Sequence, residues 1–248
     1  MTRIITIAGG KGGVGKTTLS ANLGAALADF DRDTTIIDAN LTTPNLGLHL
    51  GIPLYPVTLH DVLKGKNNIK DAIYEHESGV KVIPAGISLR DLSGADARDL
   101  PNAILDLLGH NDIIILDAAA GLGKEALAAM ESADELLLIT TPELPAVTDA
   151  LKAIKLSEQL GAKTTGIIVN RVSGRKHEMK MREIENMLGK SVMGVIPEDS
   201  AVQRSVAYRT PVVHYAPRSK SAKAIRQIAA EIAGVRLKEE QKKRFRFF

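Results

Sequence analysis

Apolar and polar positions fall along the chain in blocks of two kinds. Short, nearly continuous apolar runs rich in β-branched residues occur at Ile4–Ala8, Thr34–Asp38, Val80–Pro84, Asp112–Asp117, Glu135–Thr140, Thr165–Asn170 and Ser191–Ile196. Their length and composition predict strands, and their lack of a polar face predicts cover on both sides. Between them apolar residues recur at helical spacing. Leu19, Leu23, Ala26 and Leu27 follow the first run, then come Leu59–Leu63, Leu100–Leu108, Lys124–Met130, Val147–Leu160 and Glu178–Leu188. Ile225, Ile228, Ala229 and Ile232 form a further stripe at i, i+3, i+4 and i+7. The alternation predicts an α/β architecture, a doubly wound and mostly parallel sheet with helices on both faces. No repeat, low-complexity stretch or linker interrupts residues 1–235, which read as one domain followed by a tail, residues 236–248.

The first strand-like run leads into Gly10-Lys11-Gly12-Gly13-Val14-Gly15-Lys16-Thr17, and a helical pattern follows it. This is the setting that the phosphate-loop pattern G-x-x-x-x-G-K-[ST] requires. Glycines let the backbone curl so that successive N–H groups and the helix N-terminus point at phosphate oxygens. Lys16 is expected to reach the β- and γ-phosphates, and the Thr17 hydroxyl to ligate Mg²⁺. Two other strand ends carry carboxylates. Four aliphatics, Ile113 to Leu116, precede Asp117, a Walker B pattern that gains force from the loop at Gly10 and predicts a magnesium site there. Asp38 ends a buried strand, where a carboxylate costs desolvation without a partner or a role. A turn or N-cap role is the ordinary alternative to magnesium or water organisation. A nucleotide's phosphates and Mg²⁺ are therefore the expected ligands.

The string Lys11 to Thr17, with Thr18 beside it, resembles the deviant phosphate loop of the MinD/ParA group of ATPases, and the likeness spans roughly residues 1–234 at a level nearest archaeal MinD-like proteins. The resemblance implies a P-loop NTPase fold like that of MinD and nitrogenase iron protein. In that family the early lysine, here Lys11, crosses a dimer interface to the partner's nucleotide, which implies a homodimer in the ATP state. Asp38-Ala39-Asn40 through Asn45-Leu46 is similar to the family's first switch, Asp-x-Asp-x-x-x-x-Asn-Leu, except that Asn40 stands at the second aspartate, which aligns the attacking water. An amide binds a water but cannot take its proton. Because phosphoryl transfer relies mostly on positioning, slow hydrolysis rather than none is expected. Ala118 to Gly123 resembles the second switch. Asn170-Arg171 and Pro197-Glu198-Asp199 resemble the two base-contacting loops, and together they favour ATP over GTP.

Composition narrows these readings. The 248 residues are 44% hydrophobic and 25% charged, ordinary for a soluble globular domain. Neither a membrane-span-length apolar stretch nor a signal-peptide pattern is evident. Cysteine is absent, which excludes disulfides, thiolate metal sites and the iron–sulfur relatives of this group. The six histidines show no metal-ligand spacing. Residues 236–248 hold six basic and two acidic residues within a chain of net charge +3, and also three of its four phenylalanines. At about 100° per residue, Leu237, Phe245 and Phe248 share one side of a helix with Phe247 at its edge, although Glu240 and Arg244 interrupt that face. So short a helix is marginal in water, and the expectation is weak, reversible attachment to an anionic membrane through Phe245, Phe247 and Phe248. That puts the protein in the cytoplasm, peripheral at the inner face of the cell membrane. The leading reading is a spatial-regulation ATPase with a regulatory protein partner. The alternatives are a partition ATPase binding DNA through Arg171, Arg175, Lys176, Lys180 and Arg182, and a nucleotide-binding scaffold with negligible turnover.

Overall fold

The computed structural model describes residues 1–52 and 54–237. Its centre is an eight-stranded sheet. In chain order the strands are β1 (Arg3–Ala8), β2 (Thr34–Ala39), β3 (Tyr74–Glu75), β4 (Lys81–Ile83), β5 (Ile113–Ala118), β6 (Glu135–Thr140), β7 (Lys163–Val172) and β8 (Val192–Pro197). In space they run β3-β4-β2-β5-β1-β6-β7-β8, and every pairing is parallel except the edge pair β3–β4. All seven expected strands are present, displaced by a residue or two at their ends. The two-residue β3 was not legible, because so short an edge strand has no periodicity to detect.

Alternation along each strand divides the interior into two apolar layers. Ile4, Ile37, Ile114, Leu116, Leu136, Leu138, Ile167 and Val169 face the helices that include Lys124–Glu131, Leu144–Gln159 and Met181–Leu188. Ile5, Ile7, Ile36, Ile113, Ile115, Leu137, Ile139 and Ile168 face the other way, onto Lys16–Ala28 and Lys220–Ala233. The helix Lys16–Ala28 is buried from Leu19 to Leu27 without a polar face. It lies between the sheet and Lys220–Ala233, so an apolar stripe alone would not have sufficed.

Several helical boundaries differ from expectation. Leu100–Leu108 is an α-helix only to Ile104, followed by a 3₁₀ turn, Leu105–Leu107. Glu178 does not begin its helix, which starts at Met181. Its carboxylate instead accepts hydrogen bonds from Ser173 and from Gly174 N, closing the preceding loop. Short helices at Leu46–His49, Leu89–Leu92 and Val212–Tyr215 were not expected, because they carry too few turns for a helical period to emerge. Nor was Ser200–Ala207, which buries only Ala201 and Ser205 and so has no apolar stripe.

Candidate nucleotide site

β1 lies between β5 and β6, and later strands are added outward on both sides. The carboxyl end of β1 is therefore a topological switch point, where the flanking connections diverge and leave a crevice. Gly10 to Gly15 occupy it. A side chain at Gly10 would put its Cβ 2.2 Å from the Asp149 carbonyl oxygen, so only glycine lets the loop pass the helix Leu144–Gln159. Gly15 has φ 103°, a left-handed conformation, and turns the loop into the helix Lys16–Ala28. No side chain caps that helix and its first turn holds no carboxylate, so its leading N–H groups remain directed at the crevice.

Lys16 is 8% exposed, and burial pulls its pKa down while the nearby Asp117 opposes that shift. Strand parity explains the neighbour. Asp117 shares the parity of Ile113 and Ile115, and Asp38 that of Ile36, so both carboxylates point to the side of the sheet that carries the loop and its helix. They are also register partners across β2 and β5. Both are 1% exposed. Burial, reinforced by the charge of Asp117, pushes Asp38 up to about 8. Burial raises Asp117 as well, against hydrogen bonds from Thr17 and Ser20 and the charge of Lys16. Ser20 Oγ donates to Asp117 Oδ1 at 2.9 Å, a contact that the sequence reading missed although Ser20 lies one helical turn after Lys16.

Two adjacent buried carboxylates and a threonine hydroxyl form an all-oxygen donor set suited to a hard divalent cation, whose charge would favour the ionised pair. Among the described residues no group of three or more acidic, histidine or cysteine side chains makes a closed cage. Magnesium here would draw its remaining ligands from water and phosphate, which is its usual mode beside a nucleotide. Thr17 and Asp117 are the residues that fit. Asp38 fits less fully: its Oδ2 accepts the backbone N–H groups of Asn45 (3.1 Å) and Leu46 (3.0 Å), and its Oδ1 that of Asn40 (3.2 Å). Asp38 thus folds residues 40–46 back over the strand end and keeps one lone pair of Oδ1 for a metal or water.

Asn40 is engaged in the same loop. Its Nδ2 donates to Thr43 O at 2.6 Å, and its Oδ1 accepts Thr43 N and Oγ1 at 3.3 and 3.1 Å. The neighbouring Thr42 donates through its N–H and its hydroxyl to Glu125, in the first turn of Lys124–Glu131. The loop resembling the first switch is therefore tied to the helix that follows the second. Glu125 gave no signal in the sequence because its partner is distant along the chain.

On the other side of the phosphate loop, β7 and β8 lose register between Val169 and Val172, and Arg171 adopts φ 58°. The irregularity turns Asn170 toward the loop, where its Nδ2 donates to Val14 O at 2.8 Å. The amide oxygen is left for a base edge. Asn170, Arg171, Pro197 and Glu198 line one pocket with Gly15 and Thr18. Asp199 also lines it, but its carboxylate is occupied: Oδ1 accepts Ala201 N at 2.9 Å, and Oδ2 accepts Ser221 N and Oγ at 3.1 and 3.0 Å. Asp199 therefore positions the loop at residues 197–199 that lines the pocket. Lys11, unlike Lys16, is exposed. With Gly12 and Gly13 it borders a neighbouring cleft of about 430 Å³ that Arg171, Arg175 and Glu178 also line. Phe245, Phe247 and Phe248 lie outside the described residues.

The parallel sheet, the glycine loop at its switch point and the carboxylate-tipped β5 define a P-loop nucleotide-binding protein. Residues 5–212 match the CobQ/CobB/MinD/ParA nucleotide-binding domain, and the chain belongs to that family, as a member of its MinD/ParA ATPase group. It is 45% identical to an uncharacterized ATP-binding protein of Methanocaldococcus jannaschii, over 98% of this chain and 92% of that one. The septum site-determining protein MinD of Pyrococcus horikoshii, solved with Mg-ADP, superposes with a TM-score of 0.91 at 37% identity, covering 94% of this chain and 96% of that one. A MinC:MinD cell division complex from Aquifex aeolicus contains a chain matching with a TM-score of 0.83 at 28% identity, over 95% and 97% of the two.

Proposed function

We propose that the chain is an ATP-dependent dimerisation switch in spatial regulation, positioning a cell-division or other membrane-associated apparatus. MgATP binds in the crevice, two subunits join across their nucleotide edges, the dimer attaches to the inner face of the cell membrane through residues 236–248, and hydrolysis releases it. The observation that carries this reading is the contrast between the two lysines of the loop. Lys16 is buried beside Asp117, whereas Lys11 is exposed at the mouth of the neighbouring cleft. A cation held there is available to phosphates on a second subunit. Dimerisation doubles the tails and raises avidity with no new contact. The Aquifex complex with MinC supports a regulatory protein partner here as well.

Hydrolysis is slow in this reading because Asn40 stands where the family has a carboxylate. The DNA-partition reading is weaker, since Arg171 of its five-cation cluster lines the nucleotide pocket and Arg175 lines the neighbouring cleft. Sedimentation velocity with ATP, ADP and no nucleotide tests the switch. A shift to dimer with ATP alone, weakened in Lys11→Ala and absent in Lys16→Ala, is the expected result. An unchanged mass in all three states would overturn it.

A further inference from the structure

The tail is not the only basic segment. Residues 200–230 contain six basic residues and no acidic one, whereas residues 1–199 hold twenty basic and twenty-six acidic. The structure gathers this excess on one flank, formed by the helices Ser200–Ala207, Val212–Tyr215 and Lys220–Ala233, which pack together. Arg226 is engaged by Asp29 and lies over Phe30. Arg209, Arg218, Lys220 and Lys223 are exposed and form no ion pair among the described residues. Between them Tyr208 (69% exposed) stacks on Tyr215 (36% exposed), with ring centroids 5.2 Å apart.

The helix Lys220–Ala233 joins this cluster to the root of the tail. Its exposed residues Lys220, Lys223, Gln227 and Glu231, and Gly234 just beyond, fall within an arc of about 80° at about 100° per residue. They make one continuous stripe of about 20 Å. Its far end is fixed, because Arg3 donates to Ile232 O at 2.6 Å and Arg32 to Ala233 O at 2.8 Å. The inner side of this flank borders the nucleotide pocket through Val202, Gln203 and Ile225, whereas Arg209, Arg218, Lys220 and Lys223 are exposed.

We propose that this flank is a second membrane contact, which lies on an anionic bilayer beside the inserted tail. The inference rests on the membrane-attachment reading above. Three observations favour a lipid surface. The cations are exposed on the outer side of a helical layer and spread over three adjoining segments, where an extended anionic surface can meet them together. The tyrosines use one ring face each on one another while both remain exposed, which suits the headgroup layer better than stacking with bases. The stripe ends where a tail holding three phenylalanines begins.

The test is co-sedimentation of the full chain, with MgATP, on phosphatidylcholine vesicles with and without phosphatidylglycerol. It compares the wild type, a variant carrying Arg209→Asn, Arg218→Gln, Lys220→Gln and Lys223→Gln, and a chain lacking residues 238–248. The four substitutions are at exposed side chains, and ATP hydrolysis without lipid confirms that the fold is retained. Neutralising the flank is expected to weaken binding to the anionic vesicles by at least about tenfold, since each cation removed near such a surface takes away part of the attraction. Wild-type affinity in that variant, alongside loss of binding on tail removal, would overturn the flank and leave the tail. Absence of binding by the wild type would overturn both. If the variant keeps vesicle binding but loses affinity for duplex DNA, the flank is a nucleic-acid surface and the inference fails.

Discussion

Asn170 is placed to serve a loop and a ligand together. Its Nδ2 holds Val14 O, the carbonyl of a loop residue that must not sag, and its oxygen is left toward the base pocket. Asn170→Ala removes one hydrogen bond and leaves a carbonyl unpaired, so ATP binding should weaken about fivefold, near 1 kcal/mol, with little change in melting temperature. Titration of a fluorescent ATP analogue measures it, and unchanged affinity would remove Asn170 from the site. Gly10 makes a steric prediction. A methyl group placed 2.2 Å from the Asp149 carbonyl oxygen cannot be accommodated by rotating a side chain, so Gly10→Ala should displace the loop and abolish nucleotide binding. Retained binding would mean that the helix Leu144–Gln159 yields there.

Among elements, the loop of residues 40–46 is the one most open to manipulation. Asp38 holds it to β2, Asn40 closes it on Thr43, and Glu125 ties Thr42 to the helix Lys124–Glu131. The Glu125 link joins two segments that should both respond to the γ-phosphate. Glu125→Gln keeps the shape of the side chain but weakens its acceptors. It should raise amide exchange at residues 40–46 and change the hydrolysis rate more than ATP affinity; exchange identical to wild type would show that the link is inert. Asn40→Asp tests the chemical role of the same loop, and faster hydrolysis at unchanged ATP affinity is expected. At the other end of the molecule Arg3 bonds both Glu135 oxygens, at 2.7 and 2.9 Å, and the Ile232 carbonyl. Arg3 is partly exposed, which screens the pair, so Arg3→Ala should cost about 1–2 kcal/mol and a few degrees of melting temperature. Thermal unfolding without nucleotide reads it directly.

At the scale of the whole molecule, the sheet order places the chemistry on one edge and the chain's exit away from it. β1 sits between β5 and β6, so the phosphate loop, Asp117 and Asp38 share the carboxyl edge. The last helix starts beside that edge, where Ser221 binds Asp199, and ends over the opposite one, held by Arg3 and Arg32. The loop at residues 197–199 and the root of the tail thus stand at the two ends of a single helix.

Much of this was legible in the chain because strands covered on both faces must be apolar throughout, and a phosphate loop needs glycine and lysine at set intervals. The seven longer strands, Lys16, Thr17, Asp117 and the family itself are local in that sense. Short helices and the β3 edge carry too few residues for any period. Nothing local could have linked Thr42 with Glu125 or Ser20 with Asp117, because those contacts are made by strand order and by which way each side chain faces. Asp38 and Asp199 mark the boundary: the sequence marked both as polar groups at a site, and only the folded chain reveals how many backbone N–H groups each must satisfy. The clustering of Arg209, Arg218, Lys220 and Lys223 belongs to the same class, since a charge excess is written in the composition but a charged surface is decided by packing.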